Sequence, residues 1–532
     1  VVGSDTRRTL FFLFASVGVL LLIACANVAG LQLVRASART REIAIRTSLG
    51  GGRGRLVRQF VTESLVLAVL GGGVGLLVAY WGVDFFRGVA AASLPRADEI
   101  RIDGRVLLVT AAATVLTGVV AGLLPALQAS RLDVQHALKT TGPTVSAERR
   151  RLRDALVIAQ LALSIVLLAS AGLMLRTLDR LYRTDLGFNT AQLLTLQVAP
   201  AGDHVQFLTT LLERVGAVPG VRSAAVTSGA PMSTANTSVH VFPVGPARIP
   251  PSASIQAHWR IVTAGFFHAM EIPLLAGRVF APGDDGSANK VVIVNRTLAT
   301  TLWGDGDPIG RRVSPGGGDD YSTVIGVVAD IRSHDPAAPP IPSFYMSAYA
   351  GMLSPMTLVV RAGDDPLALV PAIRSAVQAL DPTAPVFQTK LMADLLGERV
   401  AARRTFAGLL AGFAALALAL AAVGLYGVMA YATARRTREF GIRKALGARS
   451  RDLMGSVLRD AGRLVALGTA AGLVIALGVT RTMRGMLTGV GPGDPLTFVG
   501  AALLLTAVTL LACYLPARRA TAADPLTALR GE

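Results

Sequence analysis

Seven long apolar runs constrain this chain more than any other feature. They lie at approximately 9–34, 63–86, 105–127, 154–178, 405–431, 460–480 and 496–516. A helix needs about 20 apolar residues to cross a bilayer, and each run supplies them. Hydrophobic residues make up 52% of the chain and aromatics only 5%, so the runs are built from Ala, Leu, Val and Gly. Small residues of that kind let membrane helices approach closely. Between the fourth and fifth runs lies a long segment, 179–402, with mixed polarity and strand-like patterns. The pattern predicts a polytopic α-helical membrane protein with a large α+β extracytoplasmic domain.

The net charge of +18 would suggest nucleic acid in a soluble protein. Its location argues otherwise. Arg35, Arg39, Arg41, Arg46, Arg53, Arg55 and Arg58 follow the first run with one acid, Glu42. Lys139, Arg149, Arg150, Arg151 and Arg153 precede the fourth run, and Arg518, Arg519 and Arg530 follow the last. Basic loops mark the cytoplasmic side. Alternation then places the C-terminus inside and 179–402 outside. The positive charge is a topology signal, and nucleic acid is not an expected partner.

The chain is internally duplicated. Arg41-Glu42-Ile43-Ala44-Ile45-Arg46-Thr47-Ser48-Leu49-Gly50 recurs as Arg438-Glu439-Phe440-Gly441-Ile442-Arg443-Lys444-Ala445-Leu446-Gly447. Each copy reads as a short basic helix between two spans. Glu42 and Arg46, like Glu439 and Arg443, stand i,i+4 with the acid first, the favourable order. Ile442, Ala445 and Leu446 share an apolar face, and Gly50 and Gly447 supply helix stops. Farther on, Leu124-Pro125-Ala126 answers Leu515-Pro516-Ala517. Charge topology alone does not require a repeated Glu or Gly, so the two helices are candidate contact points for a soluble partner.

Other chemistry is sparse. No Gly-x-x-x-x-Gly-Lys-[Ser/Thr] is present, so the sequence carries no P-loop. The histidines are scattered, and Cys25 and Cys513 define neither a disulfide framework nor a metal site. Asp-Gly clusters near Asp284, Asp307 and Asp320 read as surface turns rather than calcium loops. Asn27, Gln160 and Ser164 lie inside spans and read first as interhelix hydrogen bonders, second as a substrate path. Gly71-Gly72-Gly73 reads as helix packing. The chain is therefore not expected to be an enzyme, and any ATPase is expected on a separate subunit.

At this point the chain resembles the MacB/FtsX-type ABC transporter permeases, and most of all the duplicated orphan permeases with two fused units. The residues that carry the resemblance are Leu22-Ile23-Ala24-Cys25-Ala26-Asn27-Val28-Ala29, both Arg-Glu-x-x-Ile-Arg-x-x-Leu-Gly motifs, Gly424-Leu425-Tyr426-Gly427, Asp307-Pro308-Ile309-Gly310, Val324-Ile325-Gly326-Val327-Val328-Ala329-Asp330 and Leu515-Pro516-Ala517-Arg518-Arg519-Ala520.

The resemblance implies a partial first FtsX-like unit over 1–148, a membrane helix over 149–178 that opens the second unit, a MacB-like periplasmic core domain over 179–402, and a second FtsX-like unit over 403–532. The first unit, lacking an opening helix and an outside domain here, implies such a segment before Val1. The resemblance places the contact with a cytoplasmic ABC ATPase on Arg41, Glu42, Ile45, Arg46, Leu49 and Gly50 and on Arg438, Glu439, Ile442, Arg443, Lys444, Leu446 and Gly447. ATP and magnesium would sit on that partner. The implied location is a bacterial inner membrane. The implied work is mechanotransmission to the periplasmic domain for export or efflux, with an adaptor or substrate protein met at 179–402. Regulation of an envelope enzyme and release of lipoproteins share the same architecture.

Overall fold

The computed structural model describes residues 4–38, 53–90, 101–130, 147–200, 204–233, 237–245, 247, 254–281, 283–284, 290–317, 320–350, 355–435, 440, 442–444, 446 and 448–522. Four helices come first: α1 (Ser4–Ala38), α2 (Arg53–Ala90), α3 (Gly104–Ser130) and α4 (Ala147–Tyr182). An α+β region follows, with β1 (Leu193–Val198), α5 (His204–Gly216), β2 (Val221–Thr227), β3 (Thr237–Val244), β4 (Ile255–Val262), α6 (Phe266–Met270), β5 (Leu274–Gly277), β6 (Val291–Asn295), α7 (Arg296–Trp303), β7 (Arg312–Pro315), β8 (Ser322–Val328), β9 (Ser343–Ser347), β10 (Met356–Ala362), α8 (Val370–Gln378) and β11 (Val386–Leu391). The chain closes with α9 (Met392–Arg435), α10 (Ser450–Thr482) and α11 (Pro495–Ala522). Two compact units result, one of Val1–Arg180 with Ala402–Glu532 and one of Leu181–Ala401.

Among the described residues, seven helices are long and apolar enough to cross a membrane: α1 to α4 and α9 to α11. They correspond to the seven apolar runs. Threonines of α3 satisfy their hydroxyls within the helix, whereas the buried hydroxyls of Thr177 and Thr469 have no hydrogen-bond partner among the described residues. In α3, Thr110, Thr114 and Thr117 donate to the carbonyls one turn back, at 2.8, 2.8 and 2.7 Å.

Glycine sets the closest helix approaches. A Cβ on Gly118 would sit 3.0 Å from Ala68 Cβ, and one on Gly122 2.9 Å from Ser64 Cβ, so α2 and α3 meet through small residues. A Cβ on Gly72 would sit 2.9 Å from Thr114, whereas Gly71 and Gly73 face open space. The packing role read from the triple glycine thus belongs to Gly72. In the second repeat, Gly472 brings α10 against α4, where a Cβ would lie 2.8 Å from both Ala162 O and Ile165 Cβ. The core of this repeat joins Leu161, Ile165 and Leu173 of α4 to Leu425, Val457 and Leu505. Ile23 of α1 packs in a second cluster with Leu167, Met174, Phe406 and Leu410.

The inserted unit has two parts. Strands β11-β1-β10-β2 form an antiparallel sheet in that order. Helices α5 and α8 connect β1 to β2 and β10 to β11, which is a split βαβ arrangement. Their apolar residues Leu208, Leu211, Val215, Ile373 and Val377 share one core with Leu196, Val226 and Leu358. The second part is a ring. Strands β4-β3-β7-β8-β6-β9 pair in sequence, and β9 pairs back onto β4 in parallel. Closure leaves these strands no free edge. Val241, Val292, Val294, Val313 and Val324 pack with Leu298 and Leu302 of α7 on one face of the ring. Ile293, Val328 and Tyr345 pack with Phe266 and Phe267 on the other.

Asn295 fixes the end of β6. Its Oδ1 accepts from the Leu298 and Ser343 N–H groups at 3.0 and 2.8 Å, and its Nδ2 donates to Asp330 Oδ1 at 2.6 Å and to Ile341 O at 2.9 Å. One side chain therefore caps α7 and holds the loop between β8 and β9.

Candidate functional site

The first motif, with Arg41, Glu42, Ile45, Arg46, Leu49 and Gly50, lies outside the described residues, as do Arg438, Glu439 and Gly447. The described part of the second motif is informative. Phe440 and Ile442 to Lys444 are helical. The turn closes with the Leu446 N–H donating to Ile442 O at 3.0 Å and the Ala448 N–H to Arg443 O at 2.9 Å. The second bond spans five residues, the reach of a Schellman close, which satisfies a carbonyl left open at the helix end. Arg449, with extended backbone, is the N-cap of α10.

The apolar side chains of this short helix divide into two kinds. Phe440 is 3% exposed and belongs to the core shared with Val157, Met429, Leu453 and Val457. Ile442 is 45% exposed and Leu446 82% exposed. Of the apolar face read from Ile442, Ala445 and Leu446, the side chains of Ile442 and Leu446 are exposed, and Ala445 lies outside the described residues. Arg443 is exposed as well, and Lys444 is half-buried. The anchor, Phe440, was not among the candidate residues. It stands where the copies differ, opposite Ile43, so matching the repeats directs attention away from it. Its apolar character between Glu439 and Gly441 is the one signal that could have marked it. Physically, a core anchor holds the helix in place while the outward apolar side chains remain available to a partner.

The polar residues inside the spans come together as interhelix hydrogen bonders. Gln160 Nε2 donates to Leu420 O at 2.8 Å, and Asn27 Nδ2 donates to the same carbonyl at 3.3 Å. Ser164 Oγ donates to Gln160 O at 2.9 Å and approaches Ala417 O at 3.4 Å. A Cβ on Gly424 would lie 2.8 Å from Asn27 Oδ1 and 2.9 Å from Gln160 Oε1. A side chain at that turn of α9 would require both amides to shift. A cavity of about 10 Å³ lies between these side chains, of the order of a single water. That volume admits no solute, which disfavours a substrate path at this point.

The aspartates of the turn clusters are engaged locally. Asp284 pairs with Arg278 at 2.6 Å and accepts from the Ala281 N–H at 2.8 Å. The hydrogen bond from Arg278 holds its carboxyl below the usual range. Asp307 accepts from the Ile309 N–H at 3.0 Å, and Asp320 pairs with Lys290 at 2.7 Å. Among the described residues, no group of three or more His, Cys, Asp and Glu side chains could hold a metal ion. The two cysteines are unbridged, and Cys513 packs in the second repeat's core.

Comparison with known proteins agrees with this layout. The FtsX-like permease C-terminal family matches residues 14–134 and again 411–525. The MacB-like periplasmic core domain family matches residues 155–377. Over 269 residues the chain is 30% identical to the macrolide export ATP-binding/permease protein MacB of Wolinella succinogenes, covering 49% of this chain and 41% of that protein. Over 275 residues it is 26% identical to the pyoverdine export ATP-binding/permease protein PvdT of Pseudomonas syringae pv. syringae, covering 49% and 40%. Over 138 residues it is 35% identical to the uncharacterized ABC transporter permease YknZ of Bacillus subtilis, covering 26% and 33%. The chain thus spans less than half the length of these relatives. With FtsX-like sequence on both sides of one MacB-like core domain, and seven helices long and apolar enough to cross a membrane among the described residues, the chain belongs to the MacB/FtsX-type ABC transporter permeases.

Proposed function

We propose that this chain is the membrane subunit of an exporter or mechanotransmission machine, driven by a separate cytoplasmic ABC ATPase. The observation that carries the reading is the division within one short helix between two spans. Phe440 is buried in the bundle core, while Ile442 and Leu446 present apolar surface outward. Exposed apolar side chains rimmed by basic ones are what a protein partner recognises. The ATPase docks on this helix and on its counterpart, Arg41 to Gly50. Its ATP-driven closure pushes on the anchored helix, and the bundle passes the movement to the domain at 181–401. That domain lies in the periplasm, the C-terminus lies in the cytoplasm, and nucleotide and magnesium reside on the partner. The relatives' names join ATP binding, permease and export in one protein, which supports coupling to ATP and export as the direction of work. A periplasmic adaptor or substrate protein meets the extracytoplasmic domain.

The test separates docking from folding. Leu446→Glu alters a side chain that is 82% exposed, so stability should change by less than about 0.5 kcal/mol. Co-purification with the cognate ABC ATPase should fall roughly tenfold, the scale of losing one interface anchor. Phe440→Ala should instead lower stability by about 3 kcal/mol. Wild-type ATPase association by a folded Leu446→Glu chain would refute the docking site.

A further inference from the structure

Two arginines of the extracytoplasmic domain are buried, and their surroundings treat them in opposite ways. Arg361 is 6% exposed and fully occupied. It donates to Ala269 O at 2.7 Å, Ala191 O at 2.9 Å and Asn189 O at 3.0 Å, with Glu271 at 3.4 Å. Arg260 is 8% exposed and has no hydrogen bond or ion pair with any described residue. Burial lowers its pKa, yet a guanidinium stays charged at physiological pH. A buried charge without a partner is strongly unfavourable, and natural structures pair such groups.

Two neighbours of Arg260, Tyr345 and His334, also carry polar atoms without hydrogen-bond partners among the described residues. Strand alternation puts His258 and Arg260 on one face of β4. The parallel register with β9 sets Tyr345 beside Arg260. The loop after β8 brings the His334 ring against His258, with centroids 4.1 Å apart at 76°. That loop is held in place: the Met232 N–H donates to Ser333 O at 2.7 Å, and Arg399 donates to Met232 O at 2.7 Å and to Ser233 O. Both ring nitrogens of His334 and the Tyr345 hydroxyl are buried without hydrogen-bond partners.

Burial, with His258, Arg260 and Arg399 close by, lowers His334 to about 4, so its imidazole is neutral at pH 7 and carries one N–H. Burial pushes the Tyr345 phenol up to about 12, so it keeps its proton and can donate. Asp330, whose charge acts on Tyr345, already accepts from Asn295 Nδ2 at 2.6 Å and the Thr297 N–H at 2.9 Å through Oδ1.

We propose that Arg260, Tyr345 and His334, with His258 beside them, form an anion-binding site in the extracytoplasmic domain that takes a small oxyanion, a carboxylate or phosphate group of a soluble ligand. The guanidinium fork suits two oxygens of either group. The Tyr345 O–H and the His334 N–H supply further donors. The bound anion would give Arg260 the partner that the fold withholds. The site stands independently of the ATPase docking reading, since it rests on residues of one unit alone.

The experiment uses the full chain in lipid nanodiscs. Inorganic phosphate and sodium acetate are each titrated against sodium chloride at fixed ionic strength, and the thermal unfolding midpoint is followed. The expected result is a saturable rise with at least one of the two anions, since an anion bound only by the folded state stabilises it. A response to phosphate alone identifies a phosphate site, and a response to acetate alone a carboxylate site. Arg260→Met should unfold no earlier than the wild type without anion and should weaken apparent affinity at least roughly tenfold. Tyr345→Phe removes a single O–H and should weaken it roughly threefold, which keeps the test decisive if Arg260→Met does not fold. Absence of a saturable response to both anions up to roughly 10 mM would overturn the site, and so would an equal response in the wild type and both variants.

Discussion

Helices α2 and α4 are both long, apolar and membrane-spanning, yet they meet opposite surroundings. In the most apolar stretch of α2, 0% of residues are buried; in that of α4, 67% are. Leu70, Val74, Leu77 and Trp81 of α2 are each at least 60% exposed. Leu161, Ile165 and Leu173 of α4 are at most 1% exposed. Hydropathy does not separate the two, because lipid is as apolar as a leucine core. Polar residues do. Helix α4 carries Gln160, Ser164, Ser170 and Thr177 along its length, all buried, whereas α2 keeps Arg55, Arg58, Gln59 and Glu63 near its start. A polar group in mid-membrane has to face protein, so the mid-span polar residues mark the interior helix.

Glycine substitutions test this contrast most severely. Gly472 lies where α10 meets α4, and an added Cβ would meet backbone at 2.8 Å. Gly73 of α2 has open space around it. Gly472→Leu should cost about 3 kcal/mol in reversible unfolding from mixed micelles, because neither helix can yield at a backbone contact. Gly73→Leu should change stability by less than about 0.5 kcal/mol. Equal losses at the two positions would mean that α2 is also an interior helix, and the comparison would fail.

Much of this architecture is legible in the sequence, and the reason is physical. Spanning a bilayer demands a composition that no soluble helix keeps for long, so the seven helices stand out. Strands β6 and β8 read clearly because Val291 to Val294 and Ser322 to Val328 are short apolar β-branched runs. Long-range pairing does not read. The ring closes through β4 and β9, which no local pattern connects. Its closure brings Tyr345 beside Arg260 and frames the meeting of His258 and His334, so histidines that look scattered in sequence form a pair in space. The motif repeat picks out Ile442 and Leu446, while the anchor Phe440 escapes because it varies between copies. Repetition reports what both sites share, and burial depends on what each site packs against.

The polar contacts of α4 give the next test. Gln160 and Asn27 both donate to Leu420 O, at 2.8 and 3.3 Å, from two different helices. Interhelix hydrogen bonds in membranes average about 0.6 kcal/mol and reach about 1.7. Gln160→Leu should therefore cost about 1 kcal/mol. Asn27→Leu should cost less, because the Asn27 Oδ1 is buried without a partner and its removal relieves that penalty. The double variant should depart from additivity, since the two amides share one acceptor. On α2, Thr62 is exposed and donates only to its own helix at Arg58 O, so Thr62→Val should be nearly neutral. A Thr62→Val loss as large as that of Gln160→Leu would remove the distinction between polar residues that face lipid and those that face protein.

The smallest expected effect lies at the helix starts. Asp494 caps α11, accepting from the Thr497 N–H at 3.0 Å and from Thr497 Oγ1 at 2.6 Å, and it pairs with Arg176 of α4. Asp103 caps α3 through the Val106 N–H at 2.8 Å. Asparagine caps as well as aspartate does, so Asp103→Asn should be close to neutral. Asp494→Asn keeps the cap acceptor but loses the charge that meets Arg176. That pair is partly exposed, so the loss at pH 7 should be about 0.5 kcal/mol.

Its pH dependence has a definite sign. The hydrogen bonds from Thr497, more than the pairing with Arg176, hold the Asp494 carboxyl below the usual aspartate value. A carboxyl depressed in the folded state contributes stability above its unfolded pKa of about 3.9 and loses it as pH falls through the lower folded value. The gap between wild type and Asp494→Asn should therefore hold from neutral pH down to about 4 and close below it. A gap that instead widened on acidification would show that Asp494 is not held ionised by these partners, and that the α4–α11 contact rests on the Gly172–Thr497 approach alone, where an added Cβ would lie 2.7 Å from Thr497 Cγ2.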